Sequence, residues 1–151
     1  MNNNETIEDK EILYRRVKVH KPNIHFNDRR YERHKSGKIE VLPLAFYDGN
    51  REISVDRASK HNFDPSKTQR DKTDGIAKLI TAKVRDIDIE DYKIDVKYDP
   101  DDMNDAHSII VMIPDVDNQI PAENIDYPTQ DLREDLARIA NQLGWVIEPA
   151  F

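Results

Sequence analysis

The sequence contains no cysteine. That excludes disulfides, thiolate metal sites and cysteine nucleophiles, and it fits a reducing compartment. Long apolar runs are also missing. The longest, Ile109 to Ile113, is the size of a strand, well short of the ~20 residues that a membrane-spanning helix needs. Met1-Asn2-Asn3-Asn4-Glu5 holds no apolar core of a signal peptide, so a cytoplasmic location is the expectation. Glycine is scarce as well. The four present (Gly37, Gly49, Gly75, Gly144) form neither Gly-x-Gly-x-x-Gly nor a Walker A loop, which argues against nucleotide chemistry of those kinds. No zinc spacing of His-Glu-x-x-His type occurs. Neither a metal nor a cofactor is called for.

What remains is 151 residues, of which 35% are charged and 37% hydrophobic. This is one domain's length, with a thin core under a charged surface. The net charge of −7 hides an asymmetry. Between Lys10 and Lys38 ten Lys/Arg stand against three acids, whereas between Asp86 and Asp135 sixteen Asp/Glu stand against three basic residues. Such opposed halves suit a polyanion-binding face or a charged partner surface, and they also suit attraction between the halves of one fold.

Residues 1–10 read as a disordered tail and 11–151 as a single domain. Glu11 to Val19 is β-branched and aromatic, which predicts a strand ended by Pro22. Residues 23–38 read as a long basic loop with a helical turn near Asn27 to His34. Lys38–Tyr47 and Glu52–Asp56, joined by Asp48-Gly49-Asn50, read as a β-hairpin. Residues 57–73 read as a loop. Ile76, Leu79, Ile80 and Val84 fit a helix over 75–85 capped by Asp74, with a strand as the competing reading. Tyr92–Tyr98 alternates as a strand, and Ala106–Pro114 is apolar enough for a central one. Residues 115–128 form a polar connection broken by Pro121 and Pro128. Thr129 caps a helix over about 130–143 with the stripe Leu132, Leu136, Ile139, Ala140 and Leu143, and Gly144 closes it. Trp145-Val146-Ile147 returns to the sheet. The fold class is α+β: a mainly antiparallel sheet of four to six strands packed by one or two helices.

Three constellations could carry chemistry. Arg29, Arg30, Arg33 and Lys35 around Tyr31 have the composition of a nucleic-acid contact, cations for phosphate and an aromatic face for a base. The commoner reading is a solvated loop. Asp99-Pro100-Asp101-Asp102-Met103-Asn104-Asp105-Ala106-His107 gathers carboxylates beside an imidazole. Met103 and Ile110 nevertheless stand at ligand positions of a Ca²⁺ loop, so an acidic turn is the simpler account. Ser54, Asp56 and His107 are the residue types of a hydrolytic triad, without the Gly-x-Ser-x-Gly elbow that exposes such a serine. His107 opens a buried strand, where an imidazole is usually hydrogen-bonded for structure.

Leu13-Tyr14-Arg15 on a first strand, followed by Ser54 on a later one, resembles the Arg…Ser order of ADP-ribosyltransferases over about six residues. The resemblance implies an Arg15 that holds the phosphates of NAD⁺. Ser54-Val55-Asp56 stands where that family has Ser-Thr-Ser, and neither Glu-x-Glu nor Gln-x-Glu follows.

Three functions follow as expectations. The leading one is a non-catalytic interaction protein, an accessory subunit or an immunity or antitoxin-like protein, with another protein as its partner. The second is a nucleic-acid module using residues 10–38. The third is an enzyme on a nucleotide or phosphorylated substrate using Arg15 or Arg16 with Ser54 and His107. Under the leading reading, Arg16, Ser54 and His107 do not meet in one pocket.

Overall fold

The computed structural model describes residues 5–21, 23–115 and 125–151. Residues 1–4 of the expected tail, the Pro22 break, and residues 116–124 of the expected connection lie outside that set.

The main sheet has six antiparallel strands: β1 (Ile12–Val17), β4 (Ile53–Arg57), β5 (Gly75–Ile80), β6 (Tyr92–Tyr98), β7 (His107–Pro114) and β8 (Trp145–Ile147). Their order is β6-β7-β4-β1-β5-β8. A separate hairpin joins β2 (Tyr31–Arg33) to β3 (Ile39–Val41). The short helix α1 (Thr81–Arg85) follows β5, and α2 (Gln130–Leu143) precedes β8. The expected α+β class is what the chain adopts, and no helix among the described residues is long and apolar enough to cross a membrane.

Alternation sorts the strands onto two faces. Leu13, Val17, Ile53, Val55, Leu79, Ile94, Val96, Ile110 and Met112 share one core with Leu132, Leu136 and Ile139 of α2. Tyr14, Arg16, Ser54, Asp56 and His107 fall at the opposite parity. The Thr129 hydroxyl accepts from the Leu132 N–H at 3.2 Å, so the expected cap forms. Gly144 ends α2 at φ +84°, which a side chain would resist.

The hairpin β2–β3 docks through side chains. Asn141 of α2 accepts from the Val41 N–H at 2.8 Å and donates to the Val41 carbonyl at 2.9 Å, as a neighbouring strand would. The Trp145 indole donates to the Ile39 carbonyl at 2.8 Å.

Four expectations need correction. Glu52–Asp56 does not pair with the strand before it. β3 pairs with β2, residues Pro43–Phe46 form a 3₁₀ turn, and β4 joins β1 and β7. Residues 75–85 split into β5 and α1, because a strand buried on both faces also satisfies that apolar spacing. The loops 23–38 and 57–73 contain β2 and three 3₁₀ turns. The tail is not free from residue 5 onward: Ile7 is 1% exposed in the core, and the Glu5 carboxylate pairs with Arg57.

Gly75 marks the tightest approach. A Cβ there would lie 2.7 Å from the Trp145 ring and 3.0 Å from the Pro149 backbone nitrogen. Gly75→Ala is therefore expected to lower stability by about 1–3 kcal/mol, read from urea unfolding midpoints, because the β5–β8 contact must spread to admit a methyl group.

Candidate functional site

A cleft of about 710 Å³ opens over the sheet face opposite α2, within the size range of small-molecule sites. Its walls come from β1, β4, the start of β7, the loop 45–50, the segment 61–70 and the turn 101–104. Arg16, Ser54 and His107 all line it, so the expectation that they stay apart is overturned. The reason is topological. β4 lies between β1 and β7, and parity turns all three side chains to the same face.

His107 Nε2 lies 3.1 Å from Ser54 Oγ, and His107 Nδ1 lies 2.8 Å from the main-chain carbonyl oxygen of Asp99. A carbonyl only accepts, so Nδ1 carries the proton. Nε2 is then the acceptor and the Ser54 hydroxyl donates to it. The Asp99 carboxylate stands 3.3 Å from the same Nδ1. The third member of the chain is thus Asp99. Asp56, which the sequence offered for that place, sits directly across from His107 in the β4–β7 register and has another task.

Asp56 is 8% exposed and ties the cleft's loops together. Its carboxylate accepts from His61 Nε2 at 3.0 Å, from the Thr68 hydroxyl at 2.9 Å and from the Asn104 amide at 2.9 Å. The segment carrying His61 turns through Asn62 and Phe63 at φ +54° and +60°, a backbone conformation that costs a bulky residue about 1–3 kcal/mol. Asn104 also accepts from the Ala106 N–H at 3.1 Å, which sets the turn leading into His107.

Ser54 is gripped by its main chain. Register pairing of β1 with β4 ends at Tyr14–Asp56. Beyond it, Arg15 Nη1 donates to the Ser54 carbonyl at 2.8 Å, and the Ser54 N–H donates to Asp48 at 2.8 Å. Arg15 and Asp48 form a two-toothed pair, both contacts at 2.9 Å, and Arg15 Nε donates to the Ala45 carbonyl. Arg15 is therefore committed to protein groups, which corrects the phosphate-holding role that the Arg…Ser resemblance implied for it. Burial pushes the Asp48 carboxyl up. Hydrogen bonds and charge from Arg15, with the Ser54 N–H, outweigh it and hold the group below the ordinary aspartate value. Burial, with the Asp64 charge nearby, raises the Tyr14 phenol above its usual range, so this lining group stays neutral and able to donate.

The cleft is cationic in an acidic protein. Arg16, Lys18, Arg30, Lys67 and Arg70 line it. Arg16 has Asp74 at 3.6 Å. The other four have no carboxylate within 4 Å among the described residues. Of the lining acids, Asp48 is held by Arg15, Asp56 by its three donors, and Asp101 caps its own turn through the Met103 and Asn104 N–H groups.

The expected nucleic-acid face does not assemble. Tyr31 is 1% exposed, stacks on His20 at 4.3 Å and donates to the Phe151 carbonyl, so its ring is unavailable to a base. Arg33 donates to the Pro149 carbonyl. Arg29 donates to the Ile24 carbonyl and stacks on Phe26. Lys35 sits on the exposed β2–β3 turn. Of that group, Arg30 alone lines the cleft. Residues Glu32, His34 and Glu40 bring three potential metal-ligating atoms within 4.8 Å of one another, a grouping the sequence did not suggest. His34 is engaged with Glu40 at 2.9 Å, and Glu32 lies 3.9 Å from Arg29.

Sequence reasoning missed Asp48, Lys67, Arg70 and Tyr47 as parts of one site, and it grouped Asp99 with His107 only as an acidic turn, apart from the set with Ser54. They sit on turns and 3₁₀ segments with no periodicity, and only the strand order brings them together. No family model, curated protein or solved structure matches this chain.

Proposed function

We propose that this protein is an enzyme acting on a phosphorylated substrate bound in the cleft, with Ser54 as nucleophile, His107 as general base and the cationic wall holding the phosphate. The observation that carries the reading is the 3.1 Å contact between Ser54 Oγ and His107 Nε2 on the floor of a cation-lined cleft. In the step so formed, Ser54 Oγ bonds to phosphorus as the bond to the leaving oxygen breaks. The serine proton passes to His107 Nε2 and from there to the leaving group. Water then attacks the phosphoserine, gives its proton to His107 and releases phosphate, and Ser54 recovers its proton. Arg16, with Lys18, Arg30, Lys67 or Arg70, balances the charge on the phosphoryl oxygens. A cytoplasmic setting, where phosphorylated metabolites are abundant, belongs to this reading.

The test is acid quenching during turnover of p-nitrophenyl phosphate, followed by peptide mapping. A phosphoryl adduct on Ser54, absent in Ser54→Ala together with turnover, is the expected result. Turnover that survives Ser54→Ala sinks the proposal.

The interaction-protein reading retains one specific support. Met103 is 94% exposed among the exposed Asp99, Asp101, Asp102 and Asp105, an apolar side chain ringed by acids. A stoichiometric partner that is captured by the native chain, and lost with Met103→Asp while p-nitrophenyl phosphate is left untouched, would favour it.

A further inference from the structure

We infer that the substrate is a nucleotide and that Tyr47 is the platform for its base, an inference that rests on the phosphate-binding reading of the cleft. Two phenols line the cleft, Tyr14 and Tyr47. Tyr14 is 5% exposed and serves the core beside Ala58 and Ile76, whereas Tyr47 is 52% exposed. An aromatic ring left this open on a cleft wall is available for stacking.

Its orientation is fixed from the other side. The Arg133 guanidinium lies over the Tyr47 ring, 5.4 Å from the centroid. Arg133 lines a neighbouring pocket of about 120 Å³ and not the cleft, while Tyr47 lines both. The ring therefore stands between the two spaces, with a cation over one face and more than half of the residue's surface open. A guanidinium behind the ring draws electron density away from the open face, which suits an electron-rich base stacked there.

Asn50 supplies the second element. It lines the cleft beside Tyr47, and its Oδ1 accepts from the Glu52 N–H at 2.8 Å. That bond occupies Oδ1. Nδ2 is left with two N–H groups for the ring nitrogens or carbonyl oxygens of a base. Stacking surface, amide donor, cations for phosphate and the Ser54–His107 pair thus share one cleft. A phosphorylated sugar would use the cations and the Ser54–His107 pair; the stacking surface and the amide donor are contacts that a nucleotide uses in addition.

Isothermal titration of AMP, GMP, CMP, UMP and ribose 5-phosphate into the Ser54→Ala chain, which binds without turnover, and into Ser54→Ala carrying Tyr47→Phe or Tyr47→Leu tests it. The best nucleotide should bind the chain with Tyr47 intact at least about fivefold more tightly than ribose 5-phosphate, from the usual worth of one stacked base. Tyr47→Leu should erase that margin without weakening ribose 5-phosphate, and Tyr47→Phe should keep it. Equal affinity for nucleotides and ribose 5-phosphate, or a Tyr47→Leu effect common to both, overturns the inference and leaves the phosphate reading in place. Absence of binding by all five ligands overturns both. Melting temperatures of the variants within a few degrees of wild type exclude unfolding as the cause.

Discussion

His107→Ala should reduce turnover of a phosphorylated substrate by about 10²- to 10⁴-fold, the range for removing a positioned general base, with little change in unfolding midpoint. The imidazole makes its contacts at the cleft, and its ring packs into no apolar core cluster. The companion variant Asp99→Asn separates two accounts of how the ring is oriented. The Asp99 main-chain carbonyl is the nearer acceptor for Nδ1, at 2.8 Å against 3.3 Å for the carboxylate. The carbonyl survives the substitution, so the tautomer survives with it. Asp99→Asn should then cost far less than His107→Ala. Equal losses would mean that the carboxylate sets the tautomer and that the main-chain contact is incidental.

Asp48→Ala should destabilise the fold by about 3–5 kcal/mol at neutral pH, because it strands a buried guanidinium. The Arg15 side chain is 8% exposed and its strongest partner is this carboxylate. The effect on turnover should be large too, since Asp48 accepts the Ser54 N–H and holds the arginine that binds the Ser54 carbonyl. The pH dependence follows from the sign of the shift. The Asp48 carboxyl titrates below its ordinary value of 3.8 in the fold, so its contribution is complete above the unfolded value and is lost as pH falls through the folded one. Urea unfolding from pH 7 down to pH 3 should show wild type losing stability below about pH 4, where unfolded aspartates take up protons. Asp48→Asn should start lower and fall less steeply. Parallel curves would remove Asp48 as a source of the acid lability.

The sequence was most readable where burial imposes a period. The β-branched and aromatic segment from Ile12 to Val17, the alternation of Tyr92–Tyr98, the apolar run ending at Pro114 and the stripe of Leu132, Leu136 and Ile139 each fit a single element, although the first strand stops at Val17, short of the expected Val19. Capping chemistry at Thr129 and Gly144 fixed the ends of α2. Legibility failed where two periods coincide, as at Ile76, Leu79 and Ile80, which fit a helix or a strand equally. It failed again where pairing is non-local. Asp48-Gly49-Asn50 has every mark of a hairpin turn, but its asparagine and aspartate side chains hold Glu52 and Ser54 while β4 pairs elsewhere. For the site, Ser54 and His107 were visible as residue types, and their meeting depended on strand order. Arg15 and Tyr31 misled because a charge or a ring in a polar segment looks free until its buried partners are known.

The position of β1 also bears on the birth of the molecule. The first strand made is flanked by the next two main-sheet strands to be made, β4 and β5, and among the described residues β6–β7 is the one pair in that sheet whose strands follow each other directly in the chain. On a ribosome, β1 waits with both edges bare until residue 57 and then residue 80 have emerged. Loop closure of that span precedes any reward from pairing, which places folding in the slow range typical of non-local β topologies, about milliseconds to seconds. Arg15 and Arg16 lie along that waiting strand, with Lys18 just past its end. Their charge keeps the exposed ribbon from pairing with a copy of itself on a neighbouring chain.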